Sequence, residues 1–244
     1  MTVDEAWLKA FPLRPVADAV DALCESWQML AAVHRPGFNH AKREPELTRA
    51  LKAHVEQVTG RARGLPGMWA TECVHNDIDL ETASLSNERR TDIVYGWNNE
   101  TLGVQLVLEF KKIDRSARSR NAYLGNDGLQ RFVTGRYSQG QAVAAMVGIL
   151  VEARDQVVPL LQQTLTEPER IRTLRVRRLG NGKHFELPSR LFAAAEFDTE
   201  HDRDAELALS RNAIRIAHIF LEFSYPIALS AKRARRARPR RVPT

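Results

Sequence analysis

The first third of the chain shows apolar residues at helical spacing, which predicts two amphipathic helices. One spans residues 15–34 and is ended by Arg35-Pro36-Gly37. The second spans Pro45 to about Thr59. The apolar stripe of the first helix consists of Val16, Val20, Leu23, Trp27 and Leu30. Each helix therefore has one face suited to packing against a sheet.

The next residues change to the two-residue period of strands. Met68–Val74 is a predicted strand, and the polar stretch His75–Arg90 is predicted to be a solvated loop. Two adjacent strands follow, one beginning at Thr91 and one covering Leu102–Ile113, joined through residues 98–100. Such short connections favour an antiparallel meander.

The Leu102–Ile113 strand has two chemically different faces, because successive side chains alternate. One face is apolar and suits a core: Val104, Leu106, Leu108 and Phe110. The other face carries Gln105, Val107, Glu109 and Lys111. Asp92 opens the neighbouring strand. Two carboxylates beside an ammonium group could hold a divalent cation next to a fixed positive charge.

The middle of the chain predicts a crossover. A helix is predicted from Asn126 or Asp127 to about Tyr137, then a buried strand over Ala142–Val151 and a helix over Asp155–Leu165. A strand, helix, strand order implies a parallel pair within a mixed sheet.

The last third predicts a hairpin, a helix and a strand. The hairpin joins residues 171–179 and 183–187, the helix covers 205–213 and the strand covers 214–225. We therefore expect an α/β fold with a mixed central β-sheet flanked by helices and a C-terminal α+β elaboration. One domain is expected over residues 1–231, with its core at about 45–160 and the elaboration at 166–231.

Positive charge is concentrated near the end of the sequence. The net charge is +6, and residues 232–241 contribute seven basic residues and no acid, so the rest carries +6 − 7 = −1. Residues 232–244 are expected to be a disordered tail that acts as a nucleic-acid arm, a solubility tail or a docking segment.

Several function classes and locations are disfavoured by the sequence. It has two isolated cysteines, no long apolar run and no basic segment before an apolar one near its beginning. These features predict neither a disulfide framework nor a membrane span nor a signal peptide, and we expect a cytoplasmic protein.

The strand end with Glu109 and Lys111 is suited to phosphodiester hydrolysis. Mg²⁺ prefers carboxylate oxygens and retains several waters, so Asp92 and Glu109 are candidate ligands, with the carbonyl of Phe110 directed into the same space. Lys111 could orient or help deprotonate the attacking water and hold the phosphate. None of the other six lysines follows an acid at this spacing.

This order of elements, with Asp92 opening one strand and Glu109-Phe110-Lys111 ending the next, resembles the PD-(D/E)XK nuclease superfamily. In the first half-motif Thr91 stands where the family often has Pro. The resemblance covers residues 45 to about 160. It implies the restriction-endonuclease-like fold and Mg²⁺-dependent cleavage of DNA rather than RNA, with Mn²⁺ as a substitute ion.

The resemblance also implies further site residues. The family's acid on the preceding helix corresponds to Glu46, with Glu44 as the alternative, and would be a catalytic residue and metal ligand. Gln130 matches a glutamine found in many members. Thr134 holds the place of the tyrosine in the family's Gln-x-x-x-Tyr pattern, so no role is assigned to Tyr137.

Partners are expected on the same grounds. By analogy the enzyme would serve restriction or phage defence, as a homodimer or with an NTPase, helicase or recognition subunit. Gln130 and a group of basic residues near Lys111 are candidates for binding nucleic acid: Lys112, Arg115, Arg118 and Arg120.

Simpler interpretations remain open. Glu109 and Lys111 could form a solvated pair on a strand, with Asp92 as a turn residue. His201, Arg203 and His218 could line a phosphate path or be satisfied core groups. The function could also be that of a catalytically inactive nuclease-fold module that binds nucleic acid or assembles with partners, or that of an RNA-cleaving enzyme.

Overall fold

In the computed structural model, which describes residues 13–78, 85–98, 103–138, 140–204 and 212–227, both predicted N-terminal helices are present. Helix α1 is Leu13–Ala31 and helix α2 is Glu44–His54. Helix α2 continues through a π-helical turn (Val55–Thr59) and a final α-helical turn (Gly60–Ala62). A buried hydrogen bond of 2.7 Å between the hydroxyls of Ser26 and Thr59 joins the two helices.

A six-stranded mixed sheet forms the centre of the fold. Its strands lie in the order β1-β2-β3-β4-β6-β5. Their bounds are β1 Met68–Ile78, β2 Leu85–Asn98, β3 Gly103–Ile113, β4 Val143–Leu150, β5 Ala195–Asp202 and β6 Ala213–Leu221. Strands β1, β2 and β3 form the expected antiparallel meander, while β4 is parallel to both β3 and β6. The α/β class with a mixed sheet flanked by helices is therefore confirmed.

The predicted solvated loop at His75–Arg90 is wrong over its described parts. Strand β1 continues to Ile78 and β2 begins at Leu85, with His75 paired to Arg89. The hydrophobic pattern misses this extension because backbone hydrogen bonds can pair two polar strands that show no alternation of apolar residues. Residues 79–84 lie outside the described residues.

The helix predicted from Asn126 or Asp127 to Tyr137 is also wrong in position. The chain instead forms α3 (Ala117–Leu124) and a single turn, α4 (Gln130–Val133). Ser116 caps α3, its hydroxyl accepting the Ser119 N–H at 3.2 Å. Since a turn with a Gly128 N–H to Gly125 O hydrogen bond of 2.9 Å separates the helices, one long helix is not formed.

The predicted parallel crossover is confirmed. Strand β4 lies beside β3 with Phe110 opposite Val147, and every residue of β4 is buried. Helix α5 (Arg154–Leu165) follows, as expected, and then α6 (Pro168–Thr173).

The two strands of the hairpin predicted over residues 171–179 and 183–187 do not form, although the turn between them does. Helix α6 takes its first residues, and the remainder bonds to β5 through the bridges Val176–His201 and Glu186–Asp198. The predicted turn is present, since the Leu179 N–H donates to the Lys183 carbonyl at 2.8 Å and the Gly182 N–H to the Leu179 carbonyl at 2.8 Å. The flanking residues pair with the edge of β5, which offers backbone partners that the sequence pattern does not reveal. Strands β5 and β6 extend the central sheet and do not form a separate layer. Of the helix predicted at 205–213, residues 205–211 lie outside the described part, and Ala213 begins β6.

Two hydrophobic cores cover the two faces of the sheet. On one face α1 and α2 pack against alternate residues of β2, β3, β4 and β6. On the other face α3, α4 and α5 pack against the intervening residues. Phe110 belongs to the first core and Val107 to the second, so both faces of β3 are buried, not only the predicted one. Charged side chains on β3 can therefore reach solvent only towards the end of the strand.

Candidate active site

Strands β2 and β3 bring Asp92 and Glu109 together. The antiparallel ladder pairs Ile93 with Leu108, so Asp92, which precedes Ile93, lies beside Glu109, which follows Leu108. The Asp92 carboxylate accepts the Phe110 N–H at 2.8 Å. The carboxylate is thus held by the backbone between Glu109 and Lys111, and the prediction that these strands juxtapose two acids is met.

Lys111 lies at the centre of the candidate site. Its Nζ donates to Glu109 Oε1 at 2.8 Å, to the Phe110 carbonyl at 2.7 Å and to Glu44 Oε1 at 3.3 Å. Burial acts to lower the lysine pKa, but the carboxylates of Glu109, Glu44 and Asp92 outweigh it and raise the pKa. Lys111 is therefore an ammonium group at neutral pH. The suggestion that it helps to deprotonate water does not fit this environment.

Glu109 is almost fully buried, with 1% of its side chain exposed. Burial raises its pKa to about 8, with a further contribution from the Asp92 charge, and Lys111 and Arg131 only partly offset these effects. Its Oε2 atom has no hydrogen-bond partner among the described residues. An unpartnered buried carboxylate oxygen is costly and is the feature of this site that most needs a physical explanation.

Glu44, and not Glu46, reaches this cluster from α2. Glu44 Oε2 accepts the Lys112 N–H at 2.8 Å, and burial raises the Glu44 pKa despite the opposing Lys111 charge. Glu46 lies in the first turn of α2, where its carboxylate accepts the Arg43 N–H at 3.0 Å and the Arg43 Nε at 3.1 Å. Since Glu46 is used to cap the helix, the preference for Glu46 over Glu44 is corrected.

Arg131 and Tyr137 also belong to the cluster, although the sequence analysis assigned them no role. Arg131 Nη1 lies 3.3 Å from Glu109 Oε1 and donates to the Tyr137 hydroxyl. That hydroxyl donates in turn to the Arg90 carbonyl, and burial raises the Tyr137 pKa to about 12. The resemblance pointed to the adjacent Gln130, which is half-buried and opens α4. No pattern in the sequence identifies Arg131, because its approach to Glu109 depends on the turn between α3 and α4.

Most of the basic residues nominated for nucleic acid are bound within the protein. Lys112 Nζ donates to the carbonyls of His40 and Lys42 at 2.6 and 2.8 Å. Arg115 pairs with Glu152 at 2.9 Å. Arg120 donates to the Arg115 carbonyl at 2.5 Å and to Thr164 Oγ1 at 3.1 Å, whereas Arg118 is exposed on α3.

The two histidines considered for a phosphate path are core groups. His201 and His218 are fully buried and share the Thr199 hydroxyl, at 2.7 and 2.9 Å. The Tyr123 hydroxyl completes the chain at 3.0 Å from His218 Nδ1. Burial lowers the pKa of both imidazoles, to about 4 for His201. The interpretation of both as satisfied core groups is confirmed.

The described residues contain no ready-made metal centre. They include no group of three or more histidine, cysteine, aspartate or glutamate side chains arranged to hold a metal ion. The Lys111 ammonium group itself lies among the oxygens of Glu109, Glu44 and Phe110.

Comparisons with protein-family models, curated proteins and solved structures found no match to this chain. None of the described helices is long and apolar enough to cross a membrane. The geometry at the end of β3 is therefore the basis on which a function can be argued.

Proposed function

We propose that this protein is a Mg²⁺-dependent nuclease that hydrolyses phosphodiester bonds of DNA, with the PD-(D/E)XK motif formed by Asp92, Glu109 and Lys111. The observation that carries the proposal is the buried, unpartnered Oε2 of Glu109, in a cluster of three carboxylates and two cations at the end of β3. A carboxylate with a raised pKa in such a setting is typical of functional sites.

The arrangement of elements supports the proposed restriction-endonuclease-like fold. A helix carrying Glu44 precedes three antiparallel strands, and a helical crossover then leads to β4, parallel to β3. The charged cluster lies where β3 approaches its carboxyl end, which is a frequent location of binding sites in α/β proteins.

The donor atoms suit a hard divalent cation by their chemistry, although no three of the described acidic side chains are arranged to hold one while Lys111 lies among them. Asp92, Glu109 and Glu44 would hold Mg²⁺, together with the Phe110 carbonyl, because these are oxygen ligands of the type the ion prefers. When bound, the ion would stabilise charge on the phosphate and lower the pKa of a bound water. A cation near Glu109 would also favour ionisation of a carboxyl group whose pKa is otherwise about 8.

The two cations of the cluster have distinct proposed roles. Lys111 would attract a phosphate oxygen by its charge, which its raised pKa maintains, because its three N–H groups already donate to Glu109, the Phe110 carbonyl and Glu44. Arg131 is half-buried beside Glu109 and can approach a second phosphate oxygen through its guanidinium group. Tyr137 fixes the position of Arg131 by accepting from Nη1.

A non-catalytic nuclease-fold module is the second candidate. It is favoured by the position of the Lys111 ammonium group among the expected ligand oxygens and by the engagement of Asp92 with the Phe110 N–H. These contacts would form a structural charge network that keeps the fold and binds nucleic acid or a partner. Whether the protein is a nuclease or a non-catalytic module, its proposed partner is a second copy of the chain or an NTPase, helicase or recognition subunit.

Cleavage assays distinguish these functions. Supercoiled plasmid and matched DNA and RNA oligonucleotides are incubated with Mg²⁺, Mn²⁺ or EDTA. We expect wild-type protein to cut DNA only with a divalent ion, and Glu109→Gln and Lys111→Met to reduce the rate at least ~100-fold, the typical cost of removing one charge-stabilising group.

The two glutamates of α2 provide a matched pair of variants. Glu44→Gln should reduce cleavage strongly, whereas Glu46→Gln should leave it within about threefold, because Glu46 contacts Arg43 and not the cluster. Equal activity in all variants would refute the assignment. The non-catalytic alternative predicts two results for the folded wild-type protein. It would cut neither DNA nor RNA, and Mn²⁺ would not alter its thermal stability.

A further inference from the structure

A cleft lies at the carboxyl ends of β4 and β6, beside the first turn of α5. It has a volume of about 380 Å³, and the residues that line it include Leu150, Glu152, Gln156, Glu222, Phe223 and Tyr225. This volume lies within the range of about 300–1,000 Å³ that is usual for small-molecule sites. Ligands of open α/β sheets also bind most often at the carboxyl ends of the strands. The cleft therefore has the size and the position of a binding site.

The cleft adjoins the candidate active site. Leu150 pairs with Ile113, which follows Lys111 by two residues. A rise of about 3.3 Å per residue and a strand spacing of about 4.8 Å place the Cα atoms of Leu150 and Lys111 about 8 Å apart. Glu152, which lines the cleft, pairs with Arg115 at 2.9 Å. A nucleic-acid strand with a phosphate beside Lys111 would therefore have a neighbouring base within reach of the cleft.

Two aromatic rings of the cleft are held in place by the fold. Phe223 is buried, and its ring centroid lies 5.1 Å from that of Trp27. The Tyr225 ring lies 5.4 Å from Phe223, and the Tyr225 hydroxyl accepts the His40 N–H at 3.0 Å. Aromatic rings are surfaces on which nucleobases stack. A flat ligand would therefore meet rings that are already ordered.

The polar groups of the cleft favour a ligand that donates hydrogen bonds. Glu152 has 9% of its side chain exposed, and its Oε2 accepts the Arg115 N–H at 2.8 Å and Nε at 2.9 Å, so that Oε1 is left as an acceptor. Glu222 Oε2 lies 3.6 Å from Arg154 Nη1, and the Glu222 side chain is 45% exposed. Carboxylate oxygens accept hydrogen bonds and repel phosphate oxygens. The cleft therefore suits an uncharged group with N–H donors, not a phosphate.

We propose that this cleft receives one unpaired base of the bound nucleic acid, next to the phosphate at Lys111, and that it prefers guanine. The choice of nucleic acid as the source of the base rests on the proposed function. Guanine presents a ring N–H and an amino group side by side, which suits carboxylate acceptors, and its O6 can accept from the Gln156 amide. Thymine presents one N–H between two carbonyls, which carboxylates repel. In a duplex the base would be extruded from the stack.

Single strands with one variable base measure this preference. Fluorescently labelled strands about 12 bases long contain thymine throughout, except for one central dG, dA, dC or dT, and are bound to the full chain in EDTA. We expect the dG strand to bind at least ~10-fold more tightly than the all-dT strand, because paired hydrogen bonds to one base edge discriminate to this degree. Inosine in place of dG removes the amino group alone and should weaken binding at least ~3-fold.

Two matched pairs of variants locate the base. Gln156→Trp fills the cleft and should abolish the preference for dG, whereas Gln163→Trp, exposed two turns further along α5, should preserve it within about twofold. Glu222 and Glu196 both pair with Arg154, but Glu196 does not line the cleft. Glu222→Ala should therefore lower the preference at least ~5-fold, and Glu196→Ala should change it less than about twofold.

The outcomes separate this inference from the proposed function. Equal binding of the dG and all-dT strands by wild type, failure to bind either, or a preference that survives Gln156→Trp would overturn the inference. Guanosine 5′-monophosphate that binds as tightly as the dG strand would make the ligand a free nucleotide and would also overturn it. A cleft-dependent preference in a protein that cuts no nucleic acid would support the base site and remove the nuclease. Cleavage with equal binding of all strands would do the reverse.

Discussion

Replacing Lys111 by methionine tests whether the buried ammonium group stabilises the ionised form of Glu109. The Lys111 Nζ to Glu109 Oε1 distance is 2.8 Å, and the two side chains are 13% and 1% exposed. At an effective dielectric constant of about 20, unit charges at this distance attract by about 6 kcal/mol. Removing the lysine also relieves its own desolvation, so a net loss of about 3–5 kcal/mol is expected when Glu109 is ionised.

The predicted loss depends on pH because Glu109 titrates. Its pKa is about 8 in the folded protein and near 4.5 when unfolded, so the favourable contribution of the protonated group is complete below 4.5 and is lost as pH rises through 8. Removing the Lys111 charge raises that pKa further. The loss should therefore be about 1–2 kcal/mol at pH 6, where Glu109 is protonated in either protein, and about 1.4 kcal/mol larger at pH 9, one unit above the wild-type pKa of about 8.

Urea unfolding of the purified variants at pH 6 and pH 9 provides the measurement. Lys52→Met is the matched control, because Lys52 forms a 2.7 Å pair with Glu56 on a helix surface, worth no more than about 0.5 kcal/mol. At pH 9 the double variant Glu109→Gln with Lys111→Met should have a free energy of unfolding at least about 2 kcal/mol higher than that of Lys111→Met alone. A role of Lys111 in stabilising ionised Glu109 is refuted if Lys111→Met lowers the free energy of unfolding no more than Lys52→Met at pH 9, or by the same amount at both pH values.

Two further predictions concern stability away from the site. The pKa of His201 is about 4 in the folded protein against 6.5 in the unfolded chain, so the stability due to its neutral form is present above 6.5 and falls by about 3 kcal/mol as pH drops towards 4; urea unfolding across this range should show a clearly weaker acid dependence in His201→Gln. A Cβ on Gly128 would lie 2.2 Å from the Tyr123 carbonyl oxygen, so Gly128→Ala should cost about 2–3 kcal/mol, whereas Gly96→Ala, with no atom within 4 Å, should change stability by less than about 1 kcal/mol. Equal losses in the two alanine variants, or an unaltered acid profile in His201→Gln, would contradict these explanations.

The fold was predicted well where one period of hydrophobic residues extended over a whole element. Helix α1 and strands β3, β4 and β6 were each identified from such runs. The predictions of secondary structure were wrong where a segment formed its backbone hydrogen bonds with a strand other than the one its local pattern indicated. The polar hairpin of β1 and β2 and the segment bonded to the edge of β5 both depend on contacts between distant residues.

The candidate site was predicted in part for a related reason. Asp92, Glu109 and Lys111 could be grouped from sequence because strand alternation and a short connection bring them together. Arg131 could not be identified in this way, because its approach to Glu109 depends on the turn between α3 and α4. Neighbouring residues on a helix differ by about 100° in direction, so choosing Gln130 in place of Arg131 selects a different face.

The sequence by itself determined a mixed α/β sheet and one strand end with an acid, a core residue and a lysine in succession. Those features follow from local backbone geometry, which fixes the direction of each side chain from its period. Only the tertiary structure decided that Glu44 and not Glu46 faces Lys111, that Arg131 and Tyr137 complete the cluster, and that β3 is buried on both faces. Those features depend on how helices pack on the sheet, and residues two positions apart on α2 differ by about 200° in direction.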